Sequence, residues 1–550
     1  MKGSMAIAEI LKLEEIPFVS VYPSAGSEAA IINNCTEIGI RTILARQERV
    51  AVNIADGYTR ASRRTGVAMV SGGVGVENAF PGVSQAFADL VPMLILMGQS
   101  PRHRLGSRPP QDFDALFSLR ERTKWIERIN FASRVPELMR RAFTYLRTGR
   151  PSPVALEIPR DVADEEFDDT SFSYKPVVGW RSAGNPHDVE VAAKGLLAAK
   201  RPLIYAGEGV YYAGAWNELR EFAELVEAPV MTTLKAKGVF PENHPLSVGS
   251  GGRTGSKVAA HFLRKADLVF SIGASLTKGD GAPIPTGKVI VQSTVDELDI
   301  NKDYLADYVM VGDAKLVLRQ LIDEMEKRVG VRGHQGNRSL RDEIERLKME
   351  WLKEWMPKLT SDEIPINPYR VIWDLLHAVD RKKTIVTHDA GYPREELASM
   401  WETITPRGYL GWGHHSTLGY SLGGSMGAKL AEPGKLVVNI MGDGAFGMVG
   451  MDFETAVREK IPILTIVLNN LGLGMYFKFT PSTAALSGNY AKIAEGMRGY
   501  GERVEKPDEI IPAIKRAKKS VESGRAALLE IMTKVETAKQ GSYWNDLYEM

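Results

Sequence analysis

Two buried apolar runs between residues 435 and 470 each end in an oxygen-bearing side chain. The run 435–442 leads into Asp443, which glycines flank on both sides, and the run 462–470 ends at Asn470. The 27 residues from Asp443 to Asn470 are the length of one strand–helix–strand unit, which places both at one edge of a parallel sheet. Mg²⁺ prefers oxygen ligands and is usually bound by one or two protein groups together with phosphate oxygens. The segment therefore predicts a site for Mg²⁺ and a diphosphate.

A second candidate for chemistry is Glu48. It follows a short strand-like run at 42–45 and opens a helical pattern that is rich in small residues. Taken alone, such a carboxylate is an acid in the first turn of a helix, where the helix dipole favours it. The residue type by itself does not separate this structural role from a catalytic one.

Short apolar runs alternate with helical patterns almost throughout the chain, and these elements must position both candidates. Runs such as 93–98, 202–207 and 267–273 lack polar alternation, which is typical of parallel strands covered on both faces. The pattern predicts an α/β fold with several doubly wound parallel sheets.

Two shifts in composition, at 163–188 and 326–366, indicate linkers. No internal sequence repeat and no low-complexity tract is visible. We therefore expect three units, at 1–170, 185–325 and 366–550.

The bulk composition argues against several classes of protein. The chain has 550 residues, of which 44% are hydrophobic and 25% charged, and a formal net charge of +1. This balance provides no field to attract nucleic acid or an anionic membrane. The single cysteine, Cys35, permits no intrachain disulfide. The first residues lack the apolar core of a signal peptide, and the apolar stretches are too short to span a bilayer, so a cytoplasmic enzyme is expected.

Two motifs resemble those of the thiamine diphosphate enzymes, in particular the acetolactate synthase-like family, and the resemblance extends over nearly the whole chain. One is GDG…NN around Asp443 and Asn470, and the other is RQE at Glu48 followed by ADGYTR at 55–60. The resemblance implies that the three units are, in chain order, a pyrimidine-binding domain, a central Rossmann-like domain and a diphosphate- and Mg²⁺-binding domain. It also implies that Asp443, Asn470 and the carbonyl of Gly472 bind the metal.

The resemblance further implies a set of catalytic residues. In the family, the glutamate at the position of Glu48 hydrogen-bonds N1′ of the aminopyrimidine ring and promotes loss of the thiazolium C2 proton. A carboxyl group against a ring in an apolar cleft should have a raised pKa. Gln111, 13 residues before Lys124, takes the place of the active-site glutamine. Either His414 or His415 could shuttle a proton to the substrate, the alternative being a solvated loop pair.

Further segments resemble the cofactor contacts of the family. The loop at 71–80 is similar to its pyrimidine-side glycine loop, and 387–397 takes the place of its diphosphate-contacting segment. Within 408–430, Leu418 takes the place of the residue wedged under the bent cofactor, and Ser416 that of the residue whose carbonyl accepts the 4′-amino group. The cofactor-binding residues so implied are Gly73, Asn78, Ala390, Gly391, Tyr392, Ser416, Leu418, Gly442, Asp443, Gly444, Ala445, Asn470, Gly472 and Met475.

The implied reaction makes or breaks a carbon–carbon bond next to a carbonyl, in a 2-oxo acid or related acyl substrate. Met475, Tyr476 and Phe479 would form an apolar wall that packs the acyl group. The segment 442–455 is closer to that of 2-hydroxyacyl-CoA lyases and oxalyl-CoA decarboxylases, which leaves cleavage of an acyl-CoA substrate as an alternative. A non-catalytic cofactor-binding homologue is a third interpretation, and retention of both motifs argues against it.

Departures from the family concern the phosphate loop and the central unit. The loop after Asp389 lacks the family's Gln-His pair, and 267–273 is not followed by the Arg-Phe-Asp-Asp-Arg run of the flavin-binding version. These departures argue against FAD, whereas 206–214 and 288–300 still resemble the family's flavin- or ADP-binding positions, which makes ADP a candidate ligand. CoA is a candidate as well, because the basic cluster 101–110, Arg253 and Lys257 could attract its phosphates. By resemblance, the active site lies between two subunits of a homodimer or homotetramer, with Glu48 from one subunit and the metal site from the other.

Overall fold

Three parallel sheets of six strands each follow one another along the chain. The computed structural model describes residues 1–279, 281–330, 338–477 and 481–548. The strands of the first sheet are β1 (Phe18–Tyr22), β2 (Arg41–Leu44), β3 (Val67–Val70), β4 (Leu94–Gln99), β5 (Trp125–Arg128) and β6 (Val154–Pro159). Those of the central sheet are β7 (Pro202–Ala206), β8 (Val230–Thr232), β9 (Ser247–Ser250), β10 (Leu268–Ile272), β11 (Val289–Thr294) and β12 (Tyr308–Val311). Those of the third sheet are β13 (Thr384–His388), β14 (Tyr409–Leu410), β15 (Leu436–Gly442), β16 (Leu464–Asn469), β17 (Tyr500–Val504) and β18 (Ala527–Met532).

Helices connect the strands within and between the sheets. Up to the end of the first sheet's region they are α1 (Gly3–Leu13), α2 (Ser27–Glu37), α3 (Glu48–Ser62), α4 (Val74–Ala88), α5 (Ala115–Leu119), α6 (Val135–Arg147) and α7 (Arg160–Asp164). Around and after the central sheet they are α8 (Pro186–Ala198), α9 (Glu208–Ala213), α10 (Trp216–Val226), α11 (Lys257–Lys265), α12 (Ala314–Val329) and α13 (Arg338–Leu359). The remaining helices are α14 (Pro368–Ala378), α15 (Tyr392–Met400), α16 (Tyr420–Ala431), α17 (Asp443–Val449), α18 (Phe453–Arg458), α19 (Pro481–Ala484), α20 (Tyr490–Gly496), α21 (Ile510–Glu522) and α22 (Asn545–Tyr548). Among the described residues, no helix is both long and apolar enough to cross a membrane.

The strand order relates the three sheets to one another. The first sheet runs β2-β1-β3-β4-β6-β5 and the third runs β14-β13-β15-β16-β18-β17, which is the same order. The central sheet runs β12-β11-β10-β7-β8-β9, the order of a Rossmann sheet. The predicted fold class of doubly wound parallel sheets is therefore confirmed, while the bounds predicted for the three units stay a prediction.

Two helices rich in small residues join the first sheet to the third. A β-carbon on Gly57 of α3 would overlap the carbonyl oxygen of Gly424 in α16, and one on Gly427 would overlap the carbonyl oxygen of Ile54. Ile54 and Met426 belong to one hydrophobic core that contains residues of both sheets. Since the two backbones touch, the first and third sheets pack as a single body around this helix pair.

We expect Gly57→Ala to lower the free energy of unfolding by about 1–3 kcal/mol, because the added methyl group has to displace the α16 backbone. Guanidinium unfolding followed by circular dichroism measures this. Gly496→Ala in α20 is the matched control, since a β-carbon there meets open space. The control should keep or raise the stability, because alanine is the better helix former. Equal losses in the two variants would contradict the packing account.

Candidate active site

Asp443 lies where β15 ends and α17 begins. Glycines flank Asp443, yet α17 begins at Asp443 itself, and α18 follows after a short 3₁₀ turn. The reason is that Gly442 is still extended and the carboxylate can occupy the first helical turn, where the dipole favours it. The side chain is buried. Its Oδ1 accepts a hydrogen bond from the Gly444 N–H at 2.8 Å and its Oδ2 one from the Gly472 N–H at 2.8 Å.

Asn470 lies in a sharp turn after β16, the strand next to β15. Leu471 has a φ of 59°, so the backbone reverses immediately after Asn470. Asn470 Oδ1 is buried and accepts no hydrogen bond from any described residue. A buried acceptor without a donor is costly, and a metal ion would satisfy it.

The donor set of this pair fits a hard cation. The Asp443 carboxylate, the Asn470 amide oxygen and a backbone carbonyl at Gly472 are the oxygen ligands that Mg²⁺ binds. Among the described residues, no cluster of three or more His, Cys, Asp or Glu side chains offers another metal site. Burial raises the pKa of Asp443 to about 6.

A cavity of about 1180 Å³ opens beside Asp443 and Asn470. Four separate segments of the chain contribute the predicted cofactor residues that line it, namely Ala390, Gly391, Tyr392, Ser416, Leu418, Gly442, Asp443, Gly444, Ala445, Asn470, Gly472 and Met475. Tyr476 lines it as well, and Phe479 lies outside the described residues. The structure thus brings together all the residues of the third sheet's region that the resemblance assigned to the cofactor.

The segment that replaces the family's Gln-His loop is fixed by Asp389, whose role the sequence analysis missed. Its buried carboxylate accepts hydrogen bonds from the Gly419 and Ser421 N–H groups, both at 2.9 Å, and from Ser421 Oγ at 2.7 Å. These bonds satisfy N–H groups that the start of α16 leaves open. Gly391, with a φ of 87°, then precedes α15. Pro393 has no N–H group and the Arg394 N–H donates to the Gly391 carbonyl at 3.2 Å, so the Tyr392 N–H is the donor at this helix start that could meet a phosphate oxygen.

Glu48 forms a separate half-site at the start of α3. Its carboxylate is 3% exposed, Asn78 Nδ2 donates a hydrogen bond to Oε2 at 3.3 Å, and burial raises the pKa of Glu48. Gly73 packs so closely on Gln111 that a β-carbon on it would lie 2.7 Å from Gln111 Cα. The structure therefore groups the four predicted first-sheet residues. None of the four lines the cavity at Asp443.

The two predicted histidines do not lie at the metal ligands. His414 and His415 are both exposed, and neither lines the cofactor cavity. The His414 N–H donates to Asp89 Oδ1 at 3.0 Å, and His414 borders the cleft of the central sheet instead. A catalytic role for either histidine stays a prediction.

Part of the cavity wall comes from the last described segment, whose role the sequence alone left open. Residues 541–543 line the cavity, and the adjacent Trp544 is fully buried. Its Nε1 donates to the Gly255 carbonyl at 3.0 Å, so the segment is docked on the region of the central sheet. The apolar residues of this segment follow no regular period, so the local sequence could not have predicted this contact.

A second cleft of about 750 Å³ lies at the central sheet, where the strand order reverses between β7 and β10. Glu208 after β7 and Gly273 after β10 line it. Lys235 Nζ lies 2.6 Å from Glu208 Oε2 on its wall. The segment 206–214 thus borders a cleft as predicted for a nucleotide site, and binding of ADP, CoA or FAD there stays a prediction.

Comparison with known proteins decides which family these features belong to. Models of the thiamine pyrophosphate enzymes match the chain three times: the N-terminal TPP binding domain at 1–118, the central domain at 189–321 and the C-terminal TPP binding domain at 389–531. The probable acetolactate synthase large subunits of Methanocaldococcus jannaschii and Methanococcus aeolicus are 33% and 32% identical to it. The two matches cover 97% and 94% of this chain, and 92% and 90% of the length of the respective relative. The chain belongs to the acetolactate synthase-like thiamine diphosphate enzymes.

Further relatives agree with this placement. The acetolactate synthase isozyme 3 large subunit of Escherichia coli is 27% identical over 90% of this chain and 88% of its own. The crystal structure of benzoylformate decarboxylase from Polynucleobacter necessarius has a TM-score of 0.83 over 98% of this chain and 100% of that chain, at 21% identity, which shows a shared fold. This acetolactate synthase-like enzyme therefore uses thiamine diphosphate, and the alternative of a 2-hydroxyacyl-CoA lyase is not favoured.

Proposed function

We propose that this enzyme condenses 2-oxo acids, pyruvate first among them, with release of CO₂, and that Mg²⁺ is its metal. The observation that carries the proposal is the buried Asn470 Oδ1 beside Asp443, which no described residue hydrogen-bonds, in a cavity lined by the family's cofactor positions. The names of the acetolactate synthase relatives, at up to 33% identity, support the choice of substrate. The bounds 1–170, 185–325 and 366–550 are proposed as its three domains.

The chain's own residues divide the work of binding and proton transfer. When bound, thiamine diphosphate supplies the nucleophilic carbon and the electron sink. Asp443, Asn470 and the Gly472 carbonyl would hold Mg²⁺ against the diphosphate, and the backbone N–H groups of Gly391 and Tyr392 would bind phosphate oxygens. Leu418 would pack under the cofactor. Glu48 would hold a proton at the aminopyrimidine ring, which suits a buried carboxyl group of raised pKa.

We further propose that the active unit is a homodimer in which the two half-sites complete each other. Glu48 and Asp443 belong to separate regions of one chain, and Val74 beside the first half-site is more than half exposed. At the second half-site Met475 and Tyr476 are exposed as well. Large apolar side chains exposed around a buried polar site are typical of an interface. Sedimentation should give a dimer or a multiple of it, and an active monomer would refute this assembly.

The direct test is turnover by the purified protein loaded with thiamine diphosphate and Mg²⁺. Pyruvate should yield one acetolactate and one CO₂ for every two molecules consumed, measured by a colorimetric acetoin assay and by CO₂ release. A 2-hydroxyacyl-CoA thioester serves as the comparison substrate and should not react. Cofactor binding without any turnover of pyruvate would refute the proposed substrate and leave the cofactor assignment intact. Formyl-CoA release from the thioester would contradict the proposed reaction.

A further inference from the structure

A fully buried carboxylate outside the cofactor cavity contacts the turn that carries Asn470. Glu530 lies on β18, next to β16 in the third sheet, and has no exposed surface. Its Oε1 accepts a hydrogen bond from Asn469 Nδ2 at 2.7 Å and its Oε2 one from the Ala491 N–H at 3.1 Å. Arg503 Nη1 lies 3.9 Å from Oε1. Since a buried carboxylate is costly unless it is hydrogen-bonded, these bonds fix the position of its oxygens.

Asn469 connects this carboxylate to the turn. While its Nδ2 is bonded to Glu530, its Oδ1 accepts the Leu471 N–H at 2.9 Å. That bond closes the turn in which Leu471 adopts a positive φ, a conformation that is unfavourable for a leucine. The same turn leaves Asn470 Oδ1 without a partner among the described residues and directs the Gly472 N–H to Asp443.

We propose that Glu530 and Asn469 are positioning residues for the metal. They hold the turn 469–472 in the one conformation that presents Asn470 Oδ1 and the Gly472 carbonyl to Mg²⁺. Neither Glu530 nor Asn469 lines the cofactor cavity, so each acts through the turn and not by contact with the cofactor. The inference rests on the metal site proposed above.

An exchange of donor and acceptor tests this proposal. Asn469→Asp replaces the amide donor by a second carboxylate at hydrogen-bond distance from Glu530. The pair must then repel or take up a proton, and the wild-type N–H donor is lost in both cases. In Glu530→Gln, only one of the two terminal atoms remains an acceptor, so the Asn469 amide and the Ala491 N–H, which bond different oxygens of Glu530, cannot both keep their bonds. The double variant Asn469→Asp/Glu530→Gln has the wild-type net charge. The new glutamine can donate to the new aspartate and still accept from Ala491, while the aspartate still accepts from Leu471. All three bonds are thus restored, and only the one between the two side chains is reversed in direction.

The measurement is the Mg²⁺ concentration that gives half-maximal thiamine diphosphate binding, followed by quenching of tryptophan fluorescence at fixed cofactor. We expect Asn469→Asp to raise it by about 10–100-fold, as for residues that orient metal ligands. Glu530→Gln should raise it less, and it provides the test if the first variant fails to fold. The double variant should return to near the wild-type value.

Two outcomes would overturn the proposal. One is an unchanged Mg²⁺ requirement in both single variants, and the other is a double variant no better than Asn469→Asp. If the wild-type protein itself binds the cofactor without any dependence on Mg²⁺, the proposed metal site fails together with this inference. A wild-type protein that requires Mg²⁺ while the single variants do not differ from it refutes the positioning role alone.

Discussion

Glu48→Gln is expected to lower kcat with pyruvate by about 10²–10⁴-fold, the usual contribution of a positioned acid or base. Glutamine keeps the size of the side chain and can still accept the Asn78 hydrogen bond, but it has no ionisable proton to share. The variant should therefore fold and bind thiamine diphosphate with an affinity close to that of the wild type. Steady-state kinetics and a cofactor titration on the same preparation measure both quantities.

Glu77→Gln is the matched control for this experiment. Glu77 lies in the first turn of α4, next to Asn78, and is exposed. Its replacement removes a carboxylate close to the same half-site, but from an exposed position, and should leave kcat near the wild-type value. If Glu48→Gln keeps more than a tenth of the wild-type kcat, or if both variants lose activity equally, Glu48 is not the proton partner.

Asp443→Asn should raise the Mg²⁺ concentration needed for half-maximal cofactor binding by at least about 10²-fold. The variant keeps the size of the side chain but loses the anionic ligand, and Mg²⁺ prefers carboxylates. One of the two N–H groups now bonded to Asp443, from Gly444 and Gly472, also loses its acceptor. Cofactor titrations over a series of Mg²⁺ concentrations measure the shift.

Asp452 provides a control of matched burial and chemistry. It is 1% exposed, burial raises its pKa to about 6 as well, and its Oδ1 accepts hydrogen bonds from the Arg46 N–H and Thr455 Oγ1. Asp452→Asn should lower stability to unfolding but leave the Mg²⁺ requirement unchanged. A common shift in both variants would mean that general destabilisation, not loss of a ligand, weakens cofactor binding.

The third-sheet half of the candidate site could be predicted because its parts follow strand ends. Asp443 and Asn470 lie one strand–helix–strand unit apart, and neighbouring parallel strands must bring such residues to one edge. The apolar runs at 93–98 and 462–470, which predicted strands, correspond to β4 and β16, and every residue of these two strands is buried. The first and third sheets share one strand order, although no repeat is visible in the sequence. Many different apolar sequences satisfy the same burial pattern, so a shared fold need not leave a shared sequence.

The features that could not be predicted depend on contacts between distant segments. Asp389 bonds the start of α16 some thirty residues away, and Trp544 docks on Gly255 from 289 residues away. Neither contact leaves a period or motif in the local sequence. Glu530 is similar, since an acidic residue in an apolar strand gives no indication of which backbone or amide group it will meet.

The backbone contact between α3 and α16 has a consequence for how the protein is made. α3 ends at Ser62, whereas α16 begins at Tyr420, so a ribosome adds more than 350 residues between them. At roughly 5–20 residues per second, the growing chain exposes the α3 face around Gly57 and Ile54 for tens of seconds. That face is apolar and closely fitted to a partner not yet synthesised. The first sheet therefore completes this packing only late in translation, once α16 has been made.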